Sequence, residues 1–139
     1  DAYRERQLPV DLGRVHIAQG YNPGDGEAAI ASLLKEKDGL KGATAIFCAS
    51  DNLAVGALAA LQAHGVRVPE DVTVVGFDGV ALGDLTRPPL TTVRVPLQEM
   101  AVLALQALEN RLSVFGPDHP PCRIELGCKL IERDSAKAI

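Results

Sequence analysis

Two short polar elements stand where this 139-residue chain could do chemistry: the pair Ser50-Asp51 and the single carboxylate Asp78. Each follows an apolar run rich in strand formers, Thr44–Cys48 before the first and Val72–Gly76 before the second. Hydroxyl and carboxylate groups at strand ends can hydrogen-bond a small ligand, but they also cap helices and close turns. Residue type alone leaves both roles open for Asp51 and Asp78.

Other chemistries find no pattern. The glycines at 20, 24 and 26 do not follow a strand in the G-x-G-x-x-G order, and no G-K-[ST] phosphate loop occurs. His16, His64 and His119 lack metal-ligand spacing, so packed or solvated histidines are the expectation and no metal is predicted. There is no G-x-S-x-G elbow, and Ser50-Asp51 has no histidine at a recognisable position. The acidic residues are dispersed. No catalytic residue and no cofactor is predicted.

The elements that must position these groups are legible. After Ser50, residues Leu53, Ala54, Ala57, Leu58 and Leu61 recur at helical spacing, and Gly65 is placed to end that helix. Strand, helix and strand over 44–76 make a β-α-β unit whose crossover length favours two parallel strands. Ligands of open parallel sheets sit at the carboxyl ends of the strands, where Ser50 and Asp78 fall. Upstream, Arg14–Ile17 reads as a short strand. Asn22-Pro23 starts a helix with Ile30, Leu33 and Leu34 facing the core and Gly39 as its stop. Tyr21 then lies on a strand-to-helix loop at the same edge. Downstream, Thr91–Val95 is a strand, and Leu97–Leu112 carries an apolar band wide enough to predict a well-buried helix. Residues 113–121 form a Gly/Pro loop, and Arg123–Glu132 reads as one or two strands. The fold class is α/β, a doubly wound parallel sheet with flanking helices.

The blocks TAIFCASDNLAVGA, GVRVPEDVTVVGFDG and PPLTTVRVP, with the ending LIERDS, resemble the effector-binding domain of the lactose-repressor family of bacterial transcription regulators. The family pattern reads approximately T-A-I-F-C-A-N-D-x-x-A-x-G-A, G-x-x-V-P-x-D-V-S-V-V-G-F-D-D and P-P-L-T-T-V-x-Q-P. The resemblance implies a partial two-lobe, periplasmic-binding-protein-like domain. Residues 1–95 and 127–139 would belong to the carboxyl-terminal lobe, and 96–126 would pack in the other lobe. It implies a small-molecule effector, a sugar or related metabolite, and no enzymatic activity. Asp78 matches the aspartate that hydrogen-bonds the effector. Ser50 replaces a contacting asparagine, and Tyr21 matches a stacking aromatic, for which packing is the alternative. Gly79 replaces the second aspartate of the pair. Homodimerisation is implied through Leu53, Ala57, Leu82 and Leu85, each of which could instead be ordinary core. Operator DNA would be bound by a headpiece outside these residues. The effector-binding arginine of the family's R-x-x-G-[FY] block would lie upstream of Asp1. A periplasmic sugar-binding protein of an importer is the alternative reading, and an enzyme on the same scaffold is a third.

Composition agrees. Apolar residues make up 47% of the chain, which suits a packed core, and the net charge is −4 with no Lys/Arg cluster. Direct nucleic-acid contact needs a basic face and is not expected. No stretch is long and apolar enough to span a bilayer, and no signal peptide is read, so a cytoplasmic location is expected. Of the three cysteines, Cys122 and Cys128 would lie about 20 Å apart if extended at roughly 3.4 Å per residue, beyond disulfide reach. Cys48 reads as a small core residue.

Overall fold

The computed structural model of the chain describes residues 2–7, 9, 12–36, 39–40, 42–112 and 122–137. Its centre is a four-stranded sheet of β1 (Ala45–Phe47), β2 (Thr73–Asp78), β3 (Thr91–Arg94) and β4 (Lys129–Ile131), in that spatial order. β1 and β3 both run parallel to β2, whereas β4 is antiparallel to β3. Helices α1 (Ala2–Glu5), α2 (Pro23–Lys35), α3 (Asp51–Ala63) and α4 (Leu97–Asn110) flank it. The mixed, parallel-dominated α/β architecture matches the expectation.

α3 forms where its sequence predicts. Ser50 Oγ accepts the Leu53 amide at 3.2 Å, supplying the cap that the first turn lacks. Beyond the helix Gly65 takes φ +73°, a backbone that a residue with a Cβ rarely adopts. The predicted stripe of Leu53, Ala54, Ala57, Leu58 and Leu61 is buried, together with Val72, Val74, Leu90, Ile30 and Leu33. Burying side chains such as Leu61 and Leu90 stabilises the fold by about 2–3 kcal/mol each. α2 lies against α3 because glycine meets backbone at two points. A Cβ on Gly56 would collide with the Pro23 carbonyl and the Glu27 amide, and one on Gly26 would collide with the backbone of Leu53.

The carboxyl-terminal segment ties the sheet together. Ser135 is completely buried; its Oγ donates to the Val74 carbonyl at 2.6 Å and accepts the Thr91 amide at 2.8 Å. Arg133 donates to the Leu90 carbonyl at 2.5 Å and pairs with Asp84. The 80–90 connection, which holds a 3-10 turn at Ala81–Asp84, is thereby anchored to the LIERDS ending.

Several expectations are corrected. Arg14–Ile17 is no strand: Leu12–Arg14 is a 3-10 turn, and Val15 and Ile17 are exposed. Strand geometry persists only with a neighbour to complete its hydrogen bonds, and β1 pairs only with β2 among the described strands. α2 ends at Lys35, short of Gly39, with Glu36 as its last cap. In the 123–132 stretch only Lys129–Ile131 pairs. α4 is helical as predicted, but not one of its residues is buried; Leu97, Met100, Val102, Leu105 and Leu108 face outward. A helix band of that width needs a second surface, and no described element covers it. The predicted 113–121 loop lies outside the described residues.

The three cysteines are free thiols, with Cys48 buried and Cys122 and Cys128 exposed. Burial, reinforced by the nearby Asp51 charge, pushes the Cys48 thiol up to about 11. Ellman's reagent at pH 8 is therefore expected to titrate two thiols in the folded chain and the third only after denaturation. Prompt reaction of all three would contradict this burial.

Candidate ligand site at the carboxyl edge of the sheet

Parallel pairing of β1, β2 and β3 places their carboxyl ends on one edge. β2 ends at Asp78, whose ladder partner is Arg94 at the end of β3; Ser50 and Asp51 follow β1. The start of α2 packs on α3 at Pro23–Gly56 and Gly26–Leu53, and Tyr21 precedes that helix. The three predicted ligand contacts differ in accessibility. Tyr21 is 70% exposed, Asp78 is partly exposed, and Ser50 is buried with its oxygen engaged in capping α3. Its hydroxyl proton stays available for donation.

Asp51 does something the sequence does not declare. The capping task falls to Ser50, and the Asp51 carboxylate is turned inward and completely buried. Its Oδ1 accepts the Thr92 hydroxyl at 2.5 Å, and its Oδ2 accepts the Val80 amide at 2.8 Å. Gly76 is the reason it fits, since a Cβ there would collide with Oδ1. The motif S-D before a helix suggests a cap; only a buried threonine on the third strand, Thr92, could have hinted at the partner.

Asp78 sits at φ +111°, an unfavourable backbone for a residue with a Cβ. Gly79 follows at φ +77°, and a Cβ on it would collide with the stem of Arg94. The sharp Asp78–Gly79–Val80 turn is held by the Asp51–Val80 bond and by donation from the Val95 amide to the Asp78 carbonyl at 3.2 Å. Desolvation and then the neighbouring Asp51 charge push the Asp78 carboxyl above its ordinary range, with the Asp51 backbone amide acting in the opposite direction. A partly desolvated carboxylate of this kind favours a partner that donates hydrogen bonds, such as a sugar hydroxyl or a ring N–H.

Beside this edge, on the Phe77 side of β2, lies an open recess of about 270 Å³ walled by Phe77, Val95, Pro96, Met100 and Leu126. Another hollow, about 350 Å³ and lined by Leu58, Gln62, Val66, Arg87 and Pro88, contains none of the predicted contacts. It lies toward the end of α3 and the start of β2, away from the edge where ligands of parallel sheets sit. Among the described residues no group of three or more His, Cys, Asp or Glu could hold a metal.

The predicted dimer residues separate into two kinds. Leu53 and Ala57 are packed in the core of this chain, which corrects their assignment to a surface, because buried side chains have little area left to offer a partner. Leu82 and Leu85 are exposed on the 80–90 connection.

The sequence matches the periplasmic binding protein-like domain family over residues 2–136. It is 32% identical over 136 residues to the HTH-type transcriptional repressor PurR of Actinobacillus pleuropneumoniae serotype 3 (strain JL03), covering 98% of this chain and 39% of that protein. It is 40% identical over 103 residues to the HTH-type transcriptional regulator GalR of Streptococcus thermophilus, covering 74% of this chain and 30% of that protein. The fold superimposes on the transcriptional regulator CelR–cellobiose complex with a TM-score of 0.85 at 32% identity, over 97% of this chain and 39% of that one. The chain spans less than two fifths of each of these proteins.

Proposed function

The chain belongs to the periplasmic binding protein-like family, in the branch of lactose-repressor-type regulators, and from that premise we propose that it forms one wall of an effector site controlling a transcription regulator. The observation that carries this reading is the edge itself. Ser50 and Asp78 fall at the carboxyl ends of the parallel strands β1 and β2, and Asp78 is a partly desolvated carboxylate. Asp78 accepts a hydrogen bond from the effector, Ser50 donates one, and Tyr21 supplies an apolar face.

The opposite wall comes from a second lobe, against which α4 lays its Leu97, Met100 and Leu105 band. The proposed division is 1–95 with 127–139 in one lobe and 96–126 reaching into the other. Effector binding then selects one orientation of the lobes, and a separate headpiece reads operator DNA in one state better than in the other. Leu82 and Leu85 contribute to the homodimer contact. The relatives are regulators of transcription and not enzymes, which favours this reading over importer and catalyst alike. No described helix is long and apolar enough to cross a membrane, and action on DNA requires a cytoplasmic location.

Calorimetric titration tests the proposal. With cellobiose and a panel of other mono- and disaccharides, the 139-residue chain is expected to show no saturation below about 1 mM, because one wall buries too little of a ligand. A protein carrying both lobes is expected to saturate with one ligand of the panel or a related metabolite. Tight, saturable binding by the 139 residues alone would refute the shared-wall arrangement.

A further inference from the structure

We propose that Asp51 is the positioning residue of this edge: its buried carboxylate, bridging the Val80 amide and the Thr92 hydroxyl, fixes the Asp78–Gly79–Val80 turn to the start of α3 and to β3. The effector role of the turn rests on the function proposed above, whereas the positioning rests on geometry alone. Asp51 is completely buried, and both carboxylate oxygens are engaged, one by the turn after β2 and one by Thr92 within β3. Ser50 already caps α3, so the Asp51 carboxylate is not needed for that task. The turn it holds contains two successive residues at positive φ, one of them Asp78, and such a backbone persists only when its surroundings determine it. The space is specific as well. Gly76 is the one residue at its place in β2 that leaves Oδ1 room to reach Thr92. The start of α3, the turn after β2 and β3 are therefore joined through one side chain, and displacement of the turn by a ligand is transmitted to α3 and β3.

The bridge discriminates among substitutions. Asp51→Ala removes both acceptors. Asp51→Asn keeps both links, because the amide oxygen can accept the Val80 N–H while the amide NH₂ donates to Thr92 Oγ1, whose hydroxyl turns around. Thr92→Val removes one link and leaves Oδ1 buried without a donor.

Residue-resolved amide exchange on the 139-residue chain, read by NMR, tests the proposal without any effector. In Asp51→Ala the Val80 amide is expected to exchange about tenfold faster or more, in line with loss of a charge-assisted hydrogen bond. The Val74 amide, bonded to the Ser135 carbonyl, is expected to keep its protection apart from a smaller global change. Asp51→Asn is expected to restore Val80 protection to within about threefold of the parent, an energy difference below 1 kcal/mol. Unchanged Val80 exchange in Asp51→Ala, or equal acceleration at Val80 and Val74, would overturn the positioning role. If Asp51→Ala does not fold, Asp51→Asn and Thr92→Val decide. Protected Val80 in the first with faster Val80 exchange in the second supports the bridge, and any other pattern rejects it. These outcomes hold whether or not Asp78 touches an effector.

Discussion

Asp78→Ala is expected to weaken effector binding by about 10- to 100-fold in a protein that carries both lobes, while the fold remains cooperative. The loss corresponds to one charge-assisted hydrogen bond of about 1.5–3 kcal/mol made in a partly desolvated place. The carboxylate occupies the end of β2 in a turn held by its neighbours, so truncation removes the acceptor without disturbing the core. Titration calorimetry of parent and variant with the same ligand measures the effect, and equal affinities would remove Asp78 from the site. Stability should move the other way. The folded chain raises the Asp78 carboxyl above its ordinary value, so it binds that proton more tightly than the unfolded chain does. The contribution of Asp78 to stability therefore falls as pH rises from the ordinary carboxylate range through the raised one, and at neutral pH the ionised group opposes folding. Asp78→Asn is expected to unfold at higher denaturant than the parent at pH 7, with the difference vanishing at low pH. A site that trades stability for binding behaves in this way.

Gly56→Ala is expected to be the most destabilising single-methyl change in the chain, by about 3 kcal/mol or more. The added carbon would collide with the Pro23 carbonyl and the Glu27 amide of α2. Those atoms are backbone and cannot step aside as a flexible side chain would. α2 and α3 would have to separate, loosening Ile30 and Leu33 from Leu53, Ala57 and Leu61. The matched control is Gly24→Ala in α2, where an added Cβ meets nothing within 4 Å. There the change is expected to be neutral or to stabilise by up to about 1 kcal/mol through helix propensity. Urea unfolding of the two variants checks the pair. Similar midpoints for both would show that α2 and α3 do not pack through Gly56. Because the Tyr21 loop is carried on the start of α2, the same change is expected to displace one side of the candidate site.

Local pattern determined a large part of this protein. The strands around residues 45, 74 and 92, the helix capped by Ser50 and the stop at Gly65 all follow from periodicity and capping, which act over a few residues. The blocks TAIFCASD and VTVVGFDG likewise located the edge on which Ser50 and Asp78 fall, since parallel strands bring their carboxyl ends together wherever they sit in the chain. Tertiary structure decided what depends on partners distant in sequence. Arg14–Ile17 has the composition of a strand but joins no sheet among the described residues, and α4 has the face of a buried helix but no described surface to bury it against. Leu53 and Ala57 became core because glycine at 26 and 56 lets α2 close over α3. Asp51 turned from a presumptive helix cap into a bridge because Thr92, 41 residues away, and the Val80 amide, 29 residues away, meet at its carboxylate. Short-range steric and hydrogen-bonding rules are written into neighbouring residues. The donors that satisfy a buried charge are not, because only the packed sheet brings them within reach.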